Sequence, residues 1–146
     1  EFRRVLFRSL VLPPRPGSGV MEKALRLAGF AGGSNRDPAW LPNLRLLKAV
    51  IRLRQGRMQE ALDAAQDMMV QSPREPSRDS QAWSITAIAS HALGKQEETR
   101  AALARARSFV PPPVLEDALL PPGMPDWYSA IASLNLVREA GRVVGE

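Results

Sequence analysis

The sequence predicts an all-α fold, and three observations predict it. Hydrophobic residues make up 45% of the 146 residues and aromatic ones 5%, a stock of Ala, Leu, Ile, Val and Met that suits close helix packing better than a β-sandwich. Apolar residues recur at three- and four-residue steps in successive segments, the spacing of a helix face. Landmark residues also coincide when the chain is shifted by 38 positions: Ala49 on Ala87, Gly56 on Gly94, Glu60 on Glu98, Ala61 on Thr99, Ala65 on Leu103, Met68 on Ala106 and Pro73 on Pro111. One supersecondary unit is therefore written twice.

The elements follow in order. Leu12 to Gly19 holds three prolines and two glycines in eight residues, which reads as a linker because neither a helix nor a central strand survives that density. From Val20 to Ala31 the pattern is helical, and Gly32-Gly33 stops it. Ser34, Asn35 and Asp37 are N-cap candidates before Pro38, and a long helix is expected from about Ala39 to Gln55. Gly56 breaks it. Its partner should run from about Met58 to Val70, ending at Gln71-Ser72-Pro73.

The polar stretch Arg74 to Ser80 reads as a loop. A third helix is expected over Gln81 to Leu93 with Gly94 as its break, and a fourth over Gln96 to Val110 before three prolines. Leu115 to Leu120 is a short turn between proline blocks. A last helix should cover Asp126 to Val144, capped by Asp126.

Each repeated landmark has a packing reason. Small residues at 49 and 87 let the helices of a hairpin approach closely, and glycine at 56 and 94 takes the positive φ that ends the first helix. Trp83 fills the space that small neighbours leave. The order Trp83, Ala87, Gly94, Thr99, Leu103, Ala106, Pro111 resembles the signature of the tetratricopeptide (TPR) repeat. Two departures are Arg45 where the second copy has Trp83, and Thr99 where the repeat usually has alanine. The extra residues over the usual 34 fall between the copies, in the Arg74 to Ser80 stretch.

The resemblance implies a TPR-like α-α superhelix. Its two helical hairpins, about 39–73 and 77–111, would be preceded by a half-repeat helix and closed by a capping helix at about 126–144. Residues 20–146 would form this domain after a linker at 10–19. From Trp83 onward the chain also resembles the C-terminal part of large bacterial TPR proteins of the planctomycete kind, many of which carry a serine/threonine protein kinase domain upstream. That likeness rests on Trp83 to Gly94 with its His91-Ala92-Leu93-Gly94 ending, on Glu97-Glu98, and on Leu136-Val137-Arg138-Glu139-Ala140. It implies a fragment of a larger cytoplasmic protein that binds a protein or peptide partner.

Stacked hairpins of this kind leave a concave face lined by the first helix of each unit. By register, the residues facing that groove would be Asn43, Leu46, Val50, Leu53 and Arg54 from one hairpin, and Gln81, Ser84, Ile88 and His91 from the next. This set is apolar with one charge. A peptide with apolar side chains fits it better than an acidic C-terminus, which would call for several basic groups. A purely structural end-cap of a longer solenoid is the rival expectation.

Other chemistry finds little footing. The chain has no cysteine and one histidine, which leaves no thiolate nucleophile, no disulfide framework and no three-histidine metal site. No catalytic residue, cofactor or metal is expected. Asn35-Arg36-Asp37 lacks the histidine and downstream asparagine of a kinase catalytic loop and reads as a helix cap. Arg15 to Gly19 is glycine-rich, but no strand precedes it and no Gly-Lys-Ser/Thr closes it. Glu97-Glu98 complements a helix N-terminus, Glu116-Asp117 reads as a solvated loop, and Trp127-Tyr128 as the anchor of the last helix.

Glu1 to Ser9 resembles the translation of a sequencing-library adapter. Without Arg3, Arg4, Arg8 and Glu1 there remain 17 basic and 14 acidic residues, and the net charge falls from +5 to +3. The remaining arginines are interleaved with acids, with no basic stripe or aromatic platforms, so no nucleic-acid partner is expected. No apolar run is long enough to span a bilayer, and no membrane association is expected.

Overall fold

The computed structural model describes residue 26, residues 41–109 and residues 127–145, with side chains in the last stretch from 132 onward. Among the described residues every regular element is a helix: α1 Leu41–Arg54, α2 Met58–Gln71, α3 Pro76–Ala92, α4 Gln96–Ser108 and α5 Trp127–Val144. The expected linker, the Val20 to Ala31 helix, the N-cap candidates before Pro38 and the proline-bounded turn lie outside the described residues.

The glycine breaks sit where expected. Gly56 has φ 74° and Gly94 φ 77°, the left-handed conformation in which a Cβ would be strained. Each follows an equivalent turn: Gly56 N–H donates to Leu53 O and Arg57 N–H to Arg52 O, while Gly94 N–H donates to His91 O and Lys95 N–H to Ser90 O. Three-residue connections this tight make neighbouring helices antiparallel. Arg45 near the start of α1 accordingly donates to Gln71 O at the end of α2 (3.1 Å). Ser80 near the start of α3 donates to Ala106 O near the end of α4 (3.0 Å).

One element differs from its sequence reading. Helix α3 begins at Pro76 rather than about Gln81, so most of the stretch expected to be loop is helical. Pro76 occupies the first turn, where its missing N–H is no loss. Glu75 caps the end, its carboxylate accepting from Ser77 N–H (3.0 Å) and Arg78 N–H (2.9 Å). These polar residues hid the helix because they carry no apolar period, yet Ser77, Asp79, Ser80 and Gln81 are all buried.

Among the described helices α3 is central, and the other four pack against it. Small side chains make that possible: Ala82, Ser84, Ala87, Ala89 and Ser90 are buried, so neighbours can approach on every side. Hydroxyls in such a core need acceptors. Ser84 and Thr86 bond back to the carbonyls of Ser80 and Ala82, both at 2.9 Å.

The stack does not continue through α5. Helix α3 packs mainly on α2 and less on α1, whereas α5 packs mainly on α3 and little on α4. The last helix therefore lies along the first helix of the second hairpin, not on the end of it.

Candidate functional site

Helix α5 packs along α3 and meets α1 through Arg54 at its C-terminal end. Residues 46, 50 and 53 of α1 and 88 of α3 share one apolar core with Ala132, Leu136 and Ala140. Those three α5 residues recur at four-residue steps, so they form a single stripe along the helix. An alanine, a leucine and an alanine leave little bulk at either end of the stripe, which lets α5 lie close to the small-residue surface of α3.

Polar contacts fix the register. Arg54, at the end of α1, holds Glu139 through two guanidinium nitrogens, with Nη2 to Oε2 at 2.7 Å and Nη1 to Oε1 as the second contact. The Arg54 side chain is 4% exposed and that of Glu139 25%, so the pair is largely removed from water. Such a two-pronged contact specifies both position and orientation. Near the other end, Ser133 donates to Ser77 O (3.0 Å) and Gln81 Nε2 donates to Ser133 Oγ (3.3 Å), all in buried surroundings. Helix α5 thus bridges the end of α1 and the beginning of α3.

Each predicted groove residue can now be placed. Leu46, Val50, Leu53, Gln81, Ser84 and Ile88 are buried. Arg54 is engaged by Glu139, Asn43 is half-buried, and His91 is exposed at the last turn of α3. The structure brings the inner faces of α1 and α3 together, with the apolar part of that face covered by the chain itself. Of these residues, Gln81 and Arg54 contact α5 directly.

Sequence reasoning named Glu139 only within the Leu136 to Ala140 run, with no contact assigned to it, and did not name Ser133. The signal was the Ala132, Leu136, Ala140 spacing with a carboxylate one residue before its last member, but nothing in the sequence identifies Arg54 as the partner, 85 positions away.

Two neighbouring features complete the surface. Asp79 is buried beside Arg74, whose Nη1 lies 3.6 Å from the carboxylate. Burial pushes the Asp79 carboxyl above its ordinary value, with the Arg74 charge opposing. One turn further along α3, the Arg105 guanidinium of α4 stands 5.0 Å from the centre of the half-buried Trp83 ring, within cation–π range. No group of three or more potential metal ligands occurs among the described residues, and no described helix is long and apolar enough to cross a membrane.

No family model matches the sequence, and neither curated proteins nor solved structures give a match.

Proposed function

We propose that this chain is a helical protein-interaction module of the TPR-like kind, without catalysis of its own. In this reading it is the C-terminal region of a larger cytoplasmic bacterial protein with a serine/threonine kinase domain upstream. The kinase context rests on sequence resemblance alone. Support for the module itself comes from one observation: the inner face of α1 and α3 seats a helix by specific side chains, Arg54 on Glu139 and Ser77 with Gln81 on Ser133. A surface that selects a helix by position and charge has the properties of a recognition groove, with α5 as its occupant in cis.

A second reading draws on the same burial. If α5 never leaves, it is a structural end-cap, and the six buried residues are simply core.

Native-state hydrogen exchange separates the two readings. The module reading expects amides of 132–144 to exchange through an opening that costs clearly less than global unfolding, while Ile85 to Ala89 exchange only globally. Identical opening free energies for α5 and α3 would leave only the end-cap.

A further inference from the structure

We propose that residues 20–31 cover a second apolar face of α1, at Leu47 and Ile51, in the way that α2 covers α3. This contact goes beyond the interaction reading and holds whether or not α5 opens.

The first observation is burial. Leu47 is 0% exposed and Ile51 1%. One turn apart, they form a stripe on a side of α1 that the core residues Leu46, Ala49, Val50 and Leu53 do not occupy. Neither belongs to the apolar core that the described helices share, and α5 meets α1 at Arg54. Side chains this inaccessible are enclosed, so their cover comes from elsewhere in the chain.

The second observation is the repeat. At the shift of 38, positions 47 and 51 correspond to Ile85 and Ala89. On α3 both are fully buried in a core that includes Ala61, Leu62, Ala65 and Met68 of α2, and α2 packs on α3. The second helix of one hairpin thus covers the first helix of the next. Helix α1 needs the same cover from a helix that precedes it.

The third observation is the sequence of the occupant. Shifted by 37, Gly19 falls on Gly56, Met21 on Met58, Ala24 on Ala61, Ala28 on Ala65 and Ala31 on Met68. The turn glycine and the stripe of α2 are therefore written once more, as half of a further unit. Residue 26 is helical and exposed. On a helix through it, positions 21, 24, 28 and 31 fall on the opposite side. Small side chains there permit the close approach that encloses Leu47 and Ile51. The other candidate stretch, residues 110–126, holds six prolines and offers no such stripe.

Thiol protection tests this in the full chain, which has no cysteine of its own. Leu47→Cys reports on the proposed contact, and Ile85→Cys on the equivalent position of α3. Both thiols should react slowly with an aromatic disulfide reagent, because a buried cysteine packs as a small apolar group. Adding Ala28→Asp puts a carboxylate into the contact. It should speed the thiol at position 47 by about tenfold or more, because a buried charge without a partner forces the contact open. The thiol at position 85 should keep its rate. Arg26→Ser, on the outward side, should change neither.

If Ala28→Asp also frees the thiol at position 85, the whole fold has opened, and the milder Ala28→Ser replaces it. The proposal then stands on acceleration at position 47 alone, and equal rates of gain at the two positions overturn it. A thiol at position 47 that stays protected in the Ala28 variants overturns it as well. So does one released by Leu119→Asp instead, which would give the face to residues 110–126. Fast reaction in the parent chain, at position 47 and equally in Ile51→Cys, would show an open face and likewise overturn the proposal.

Discussion

The two hairpins share a frame but fill it differently. In the first, Ala65 and Met68 face the core, and in the second the equivalent positions are Leu103 and Ala106. All four are essentially inaccessible. Bulk has moved by one helical turn with little change in total volume, the kind of exchange a core tolerates. At the neighbouring position Ala61 becomes Thr99, whose hydroxyl donates to Lys95 O (2.8 Å) and so adds no unpaired group.

The closures differ as well. Arg45 ties the first hairpin to the carbonyl end of α2, where a cation complements the helix dipole. Trp83, at the same register, instead packs its ring against the core of the second hairpin beneath Arg105. The lesson is that glycine turns and small-residue contacts define this unit. What fills the space between them is negotiable.

The largest expected effect breaks the volume exchange. Leu103→Ala should cost about 3 kcal/mol, as a buried leucine truncated in a close-packed core. Adding Ala106→Met installs the first hairpin's arrangement in the second and should recover a substantial part of that loss. Urea denaturation of both variants and of Ala106→Met alone gives the coupling. Simple additivity would show that the two hairpins do not share one packing solution.

The glycine turns should behave alike in both hairpins. Nothing lies within 4 Å of a Cβ added at Gly56 or Gly94, so alanine meets no obstacle and the penalty is backbone strain alone. Gly56→Ala and Gly94→Ala should each cost about 1–2 kcal/mol, measured by thermal melts. Unequal losses would mean that one turn is held by more than its φ.

Caps sharpen the contrast between α3 and the helices after glycine. Helices α2 and α4 have no side-chain cap bond, whereas Glu75 caps α3 with two. Glu75→Ala should therefore destabilise by about 1 kcal/mol, while Arg57→Ala and Lys95→Ala, at the equivalent N-caps of α2 and α4, should do less.

The smallest effect is a pH dependence. Because burial raises the Asp79 carboxyl in the folded state above 3.8, the folded chain holds that proton more tightly than the unfolded one. This group's contribution is then most favourable below the unfolded value and declines as pH rises through the raised one. Asp79→Asn should flatten that slope in denaturation curves taken from acid to neutral pH. An unchanged slope would place the raised affinity elsewhere.

Much of this architecture was legible in the residues. Gly56 and Gly94 announced their turns because few other residues adopt that φ, and the apolar periods placed α1, α2, α4 and α5 to within a few residues. The start of α3 was not legible. Ser77, Arg78, Asp79 and Ser80 look solvated in sequence, and only packing from α4 and α5 shows that three of them are buried and where Ser77 and Ser80 find their partners.

The sequence by itself determined the repeated hairpins, since turn chemistry and helical periodicity are local and act within a few residues. Only the tertiary structure decided where α5 lies, because that depends on pairings such as Arg54 with Glu139 and Gln81 with Ser133, 85 and 52 positions apart. Side chains so distant in sequence leave no periodic trace. They meet because the small-residue surface of α3 leaves a seat of the right shape.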